Sequence, residues 1–283
     1  MSIDSITRTG ERRFRLASGE IAAAVSGKVD AQLVIGIPGL SVNLRCFDSI
    51  FEALDPDQHR RLAFDPRGRG QSDKTPAGTY GWPSHVRDVL EMADELGTQS
   101  FDLIGLSMGA WIAMKVAETA PGRVRRMALI DAGGVPDESV TEPIYAGLER
   151  LAMLWPSRDA FMQVAQTIPH YQPWPVWQRL FDYELEDVEG GVRPRSQRAA
   201  ALEDEEYRKQ QDPYLLWKSV TMPALLVRAT QPIPPDFGYV LTAADYRRFL
   251  AEVPTATGVE VDANHYTVAL HPGTVRAITD FLR

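Results

Sequence analysis

The residues Gly105-Leu106-Ser107-Met108-Gly109 are the first place in this chain where side chains could do chemistry. A serine with glycine two positions before and after it fits a sharp turn from a strand into a helix. The glycines let strand and helix approach closely. The serine oxygen then projects at the N-terminus of the helix, whose dipole favours developing negative charge. A serine hydroxyl is a poor nucleophile at neutral pH and needs a base. Histidines stand at 59, 85, 170, 265 and 271. Only His265 lies just past a predicted strand near the end of the chain, in Asp262-Ala263-Asn264-His265-Tyr266. In an open parallel sheet the loops after strand C-termini converge on one edge. Ser107 and His265 both belong to that edge. His59 precedes a strand and falls at the opposite edge. His85 starts a helix and is expected in solvent, and His271, before Pro272, is expected to cap a helix or lie on the surface.

The elements that must position these residues follow from apolar patterning. Residues 12–18 and 20–27 read as an antiparallel pair turned at Gly19. Residues 31–38, 60–65, 100–107, 124–132, 222–229 and 257–263 read as further strands. Between them, 44–54, 82–96, 108–120, 244–253 and 274–283 carry helical spacing. Strand and helix in alternation imply a parallel sheet covered on both faces. The rhythm breaks between 135 and 219, which is helix-like apart from a possible hairpin at 183–195 turning at Gly190-Gly191. The expected organisation is a core of 1–134 and 220–283, with 135–219 as a helical cap that lacks a sheet of its own.

Composition limits the partners. A net charge of −8 gives no general attraction to nucleic acid or anionic lipid. The basic pair Arg60-Arg61 and the cluster Arg123, Arg125 and Arg126 are short and are read as solvated edges. The single cysteine, Cys46, excludes a disulfide within the chain and argues against a cysteine zinc site. The N-terminus shows no signal-peptide pattern, and no run approaches the ~18 apolar residues needed to span a bilayer. The expectation is a cytoplasmic monomer or homodimer acting on a small molecule, with no metal, cofactor, nucleic-acid or membrane partner.

Four segments together carry a resemblance: Gly36-Ile37-Pro38-Gly39, Asp65 to Ser72 (DPRGRGQS), Gly105 to Gly109, and Asn264-His265-Tyr266. In this order they resemble the α/β-hydrolase superfamily from Ile35 to Phe281. The resemblance implies an α/β-hydrolase fold, with a mostly parallel eight-stranded sheet, helices on both faces and a helical cap. It also implies an oxyanion hole built from the backbone N–H groups of Ile37 and Met108. Many relatives place histidine where this chain has Ile35. The Asp65–Ser72 segment is expected to shape the turn beside the site.

The base needs a carboxylate to hold its tautomer. Most relatives carry it just beyond the seventh strand, but here that stretch reads Val227-Arg228-Ala229-Thr230-Gln231-Pro232, without an acid. Asp131, at the end of the sixth strand, is the preferred substitute, and Asp236 is the rival. Some branches of the superfamily place their acid after the sixth strand, among them haloalkane dehalogenases, zearalenone lactonases and cofactor-free quinaldine dioxygenases.

The cap is rich in aromatics. Most are expected to glue it to the sheet, while Tyr171, Trp174, Trp177 and His170 are candidates to touch substrate. The run Glu203-Asp204-Glu205-Glu206 is expected to be a solvated helix face. The activity implied is hydrolysis of an ester or lactone of a bulky apolar or aromatic molecule through Ser107, His265 and Asp131. A zearalenone-type lactone is one such substrate. A carbon–carbon bond hydrolase, a cofactor-free dioxygenase and a silent small-molecule receptor are the alternatives.

Overall fold

A computed structural model describes residues 10–233 and 237–283. The apolar runs become β1 (Glu11–Leu16), β2 (Gly19–Ser26), β3 (Gln32–Ile37), β4 (His59–Phe64), β5 (Phe101–Leu106) and β6 (Val124–Ile130). The hairpin β7 (Leu185–Val188) and β8 (Gly191–Pro194) follows, then β9 (Ala224–Ala229) and β10 (Ala256–Val261). Eight of these strands form one sheet in the order β1-β2-β4-β3-β5-β6-β9-β10. Within this sheet only the β1–β2 and β2–β4 pairs are antiparallel. The fold is the mostly parallel α/β sheet that the alternation of strands and helices implies.

Every residue of β4, β5 and β9 is buried. Strands covered on both faces need apolar residues at successive positions, not alternating ones. Successive residues therefore feed two separate cores. Leu33 and Ile35 pack with the helices Trp82–Glu95 and Met108–Thr119, while Val34 and Ile104 pack with Asp48–Ala53 and Pro272–Leu282.

Three expectations about charged residues are corrected. Arg60 and Arg61 are buried, not solvated. Arg61 donates to the carbonyls of Phe51 and Leu54 at 2.7 and 3.1 Å, where the helix Asp48–Ala53 ends. Arg126 likewise donates to the carbonyls of Phe281 and Leu282. Arg61 and Arg126 thus satisfy orphan carbonyls of helix C-termini, a role that composition cannot reveal, whereas Arg125 is exposed as expected and pairs with Asp102. His85 is also fully buried, and its Nε2 lies 3.0 Å from both carboxylate oxygens of Asp204. Asp204 and Glu205 are buried, and Glu203 is half-buried and accepts from the Gly78 and Tyr80 N–H groups, so only Glu206 matches the solvated face expected of that run. Asp204 also accepts from Arg69 at 2.6 Å and from the Gly81 N–H. Burial pushes its carboxyl up. The His85 and Arg69 charges, with the hydrogen bonds from His85 and Gly81, outweigh that and hold it well below the usual carboxylate range.

The segment between β6 and β9 holds the helices Thr141–Glu149, Arg158–Gln166, Trp174–Glu184 and Arg198–Lys209. Contrary to expectation it has a small sheet of its own, the β7–β8 ribbon, whose turn residues Gly190 and Gly191 have φ of 86° and 148°. Phe161, Tyr171, Trp177 and Phe181 from this segment join the core formed by Val34 and Ile104. Asn43, after β3, donates to the buried Glu184 at 2.9 Å and ties the helix Trp174–Glu184 to the sheet. No helix among the described residues is long and apolar enough to cross a membrane.

Candidate active site

Ser107 stands between β5 and the helix Met108–Thr119 with φ 53° and ψ −118°. Positive φ at a serine is strained and persists only where the surroundings enforce it. Here the Ser107 N–H donates to the Ile130 carbonyl at 2.9 Å. The flanking glycines permit the turn. A Cβ on Gly105 would lie 2.3 Å from the Gly109 carbonyl oxygen, and one on Gly109 would lie 1.9 Å from that of Ile37.

His265 lies four positions beyond β10. Asn264 shapes its loop, accepting through Oδ1 from the Tyr266 and Thr267 N–H groups at 3.0 and 3.2 Å. His265 Nε2 is 3.0 Å from Ser107 Oγ, and Nδ1 is 2.9 Å from Asp131 Oδ2. An ionised carboxylate only accepts, so Nδ1 carries the proton and Nε2 is left to accept from the serine hydroxyl.

Asp131 follows β6 directly and is itself at φ 50°. Its N–H donates to the Val227 carbonyl at 2.8 Å, and its Oδ1 accepts from the Ala229 N–H at 2.9 Å. The end of β9, where most relatives bear their acid, thus supplies the amide that orients the acid on β6. Asp236, the rival acid, lies outside the described residues.

Ile37, expected as an oxyanion donor, lies away from the cavity above Ser107. It is a fully buried residue of β3, paired with Gly105 of β5. The glycine beside the nucleophile is Gly39, whose Cβ position lies 3.4 Å from the Ser107 Cβ. Gly39 and Leu40 line the cavity with Ser107 and Met108. Among the described residues, neither the Leu40 nor the Met108 N–H donates to a protein acceptor. The placement therefore favours Leu40 over Ile37 as Met108's companion. The motif Gly36-Ile37-Pro38-Gly39 contains two glycines, and counting from the first of them stops the donor short of the end of the strand.

The cavity holds about 120 Å³ beside Ser107 and His265. Tyr171 and Trp177 line it, whereas Trp174 and His170 do not. Trp174 packs behind the wall against Phe181. His170 stacks on Tyr266 at 4.2 Å, and burial, with the Arg150 charge second, pulls its pKa down. Tyr266 is a wall residue whose hydroxyl burial pushes up to about 12. Sequence reasoning missed Leu40, Trp111 and Arg150 as wall residues. Arg150 alone left a signal, as a single cation before the apolar run Leu151-Ala152-Met153-Leu154-Trp155.

A family profile described as alpha/beta hydrolase fold matches residues 33–157. A 2-hydroxymuconate semialdehyde hydrolase of Pseudomonas putida is 37% identical over 90 residues, which are 32% of this chain and 30% of that protein. A poly(3-hydroxyalkanoate) depolymerase of Ectopseudomonas oleovorans is 32% identical over 119 residues, 42% of this chain and 41% of that one. The chain thus spans less than half the length of these curated relatives. The solved structure of an E-2-(acetamidomethylene)succinate hydrolase superposes with a TM-score of 0.85 at 23% identity, covering 96% of this chain and 98% of the other.

Proposed function

Starting from a chain that has the α/β-hydrolase fold, we propose that it is a serine hydrolase cleaving an ester or lactone of a small molecule with an apolar body. The observation that carries this reading is the unbroken chain of contacts from Asp131 through His265 to Ser107, at 2.9 and 3.0 Å. His265 Nε2 takes the Ser107 proton as Oγ attacks the carbonyl carbon. Asp131 holds the imidazolium that results. The oxyanion forms against the Leu40 and Met108 N–H groups, at a helix N-terminus that favours its charge. His265 then gives its proton to the leaving alkoxide, which leaves an acyl-serine. Water, deprotonated by the same imidazole, attacks that acyl group and releases the acid and free Ser107.

The activities of the two relatives, a 2-hydroxymuconate semialdehyde hydrolase and a poly(3-hydroxyalkanoate) depolymerase, agree with hydrolysis but not with one substrate. Cavity size narrows the choice. A space of about 120 Å³ is close to the ~150 Å³ that accommodates a benzene ring. It suits a compact acyl group rather than a long chain. Tyr171, Trp177 and Tyr266 serve as substrate-contacting side chains in this reading, and segment 135–219 serves as the cap. A cytoplasmic location is part of the same reading, as the usual setting of a chain with one unpaired cysteine.

The test is acylation. A fluorophosphonate should label Ser107, and short p-nitrophenyl esters should give a burst. S107A should abolish both, and D131N should lower kcat by about 10⁴-fold by allowing the wrong tautomer. Tight retention of an ester without labelling or turnover would instead indicate a receptor.

A further inference from the structure

Arg150 opens the short 3-10 turn Arg150–Ala152 in the cap and lines the same cavity as Ser107 and His265. Its Nε and Nη1 are buried, yet neither has a hydrogen-bond acceptor among the described residues. The other charged groups of the wall are already paired. Asp204 is held by Arg69 and His85, and Glu205 accepts from Arg208 twice, at 2.8 and 2.7 Å. Glu149, the acid next to Arg150 in sequence, is taken by Arg198. One cation therefore stands uncompensated in a largely apolar cavity.

Aromatic faces supply only part of what water would give it. The Arg150 guanidinium carbon lies 5.4 Å from the Phe181 ring centroid and 6.0 Å from that of Phe161. Rings attract the charge but accept no N–H at such distances. Two more wall residues, Trp111 and Trp177, also have buried indole N–H groups without acceptors. The unmet polar groups of this wall are donors. What they lack is an acceptor, preferably a charged one.

We propose that Arg150 seats a carboxylate of the substrate, so that the cavity selects an ester or lactone bearing a free carboxylate over its neutral counterpart. This rests on the serine hydrolase reading and names the substrate class for that same site. A guanidinium presents paired N–H donors in a plane that matches a carboxylate, and dehydrated surroundings strengthen the match. Arg150 is close enough to His170 and Tyr266 for its charge to act on both, and Tyr266 adjoins His265 in sequence. The carboxylate would be held at the cap side of the cavity, with the scissile carbonyl toward Ser107. Burial, with the Arg150 charge second, lowers the pKa of His170 and so disfavours a second positive charge beside Arg150.

The experiment compares monoethyl esters of a series of dicarboxylic acids with ethyl esters of the matching monocarboxylic acids, followed by pH-stat. The best-fitting anionic ester should exceed its neutral partner in kcat/KM by about 10- to 100-fold. R150Q should erase that ratio through KM, and R150K should keep part of it. Simple monocarboxylates should inhibit wild-type hydrolysis of neutral esters competitively, which supports the proposal even where R150Q melts too low to assay. Neutral esters turned over as well as anionic ones throughout the series, or a preference that survives in R150Q, would overturn the carboxylate seat and leave the hydrolase standing. Turnover of neither series, with no fluorophosphonate labelling of Ser107, would overturn both.

Discussion

At the scale of single residues, the candidate chemistry depends on two side chains held in backbone conformations that non-glycine residues avoid. Ser107 and Asp131 are the non-glycine residues with positive φ among those described, at 53° and 50°. Each ends a neighbouring strand of the sheet, and the strain in each is supported by main-chain hydrogen bonds to the adjacent strand. The oxyanion donors proposed are main-chain groups, so side-chain substitution does not test them. Replacing the Leu40 amide by an ester, through semisynthesis, removes only its N–H. The expected loss is about 10²- to 10³-fold in kcat, with KM little changed. Single-turnover acylation of the modified protein checks this. The same replacement at Ile37 should act on stability, because Ile37 is buried in β3. The choice between these two positions was not legible in the sequence. Both follow a glycine, and only the end of β3 separates them.

At the scale of elements, the site is made by the close approach of β3, β5 and the helix Met108–Thr119. Gly109 lies where a Cβ would meet the Ile37 carbonyl oxygen at 1.9 Å. Backbone cannot yield there as a flexible side chain could. G109A should therefore destabilise the fold at the upper end of the ~1–3 kcal/mol typical of overpacking. It should also slow labelling of Ser107 by moving the helix N-terminus away from β3. Urea unfolding and labelling rate read the two effects separately. The strands, their order along the chain and the turn at Ser107 were legible, because continuous apolar runs and glycine spacing are local signals. The β7–β8 ribbon was legible only as a possible hairpin at Gly190-Gly191. The burial of Asp204 and His85 was not legible, because each owes it to a partner more than 100 positions away.

At the scale of the whole molecule, buried carboxyls make stability depend on pH. Asp65 is fully buried. Desolvation raises its pKa to about 7, against hydrogen bonds from the Gln71 and Leu44 N–H groups and the Tyr183 hydroxyl that act to lower it. Asp48, raised to about 6 chiefly by burial, behaves alike. The folded chain thus binds protons at these sites more tightly than the unfolded chain, whose carboxyls titrate near 3.8. Stability from these groups is fully present below that value. It is lost as pH rises from about 4 to about 7. D65N removes one such titration. The gap in unfolding free energy between wild type and D65N should therefore shift against wild type as pH rises across that interval. Chemical denaturation at several pH values measures it. Asp204 works in the opposite sense. Its contribution is present above the ordinary carboxylate range and is lost only in strong acid.

The sequence by itself determined the order of strands and helices, the sharp turn at Ser107, and the edge of the sheet where His265 must fall. Each of these depends on neighbours along the chain, or on the rule that parallel strands point their C-termini the same way. Only the tertiary structure decided that the Ala229 amide, on the strand lacking the usual acid, orients Asp131. It also decided that Leu40 rather than Ile37 faces the cavity, and that Arg150 enters the wall with its Nε and Nη1 unmatched among the described residues. These facts concern where groups distant in sequence meet and which polar atoms remain unmatched once water is excluded. No local pattern of residue types encodes either.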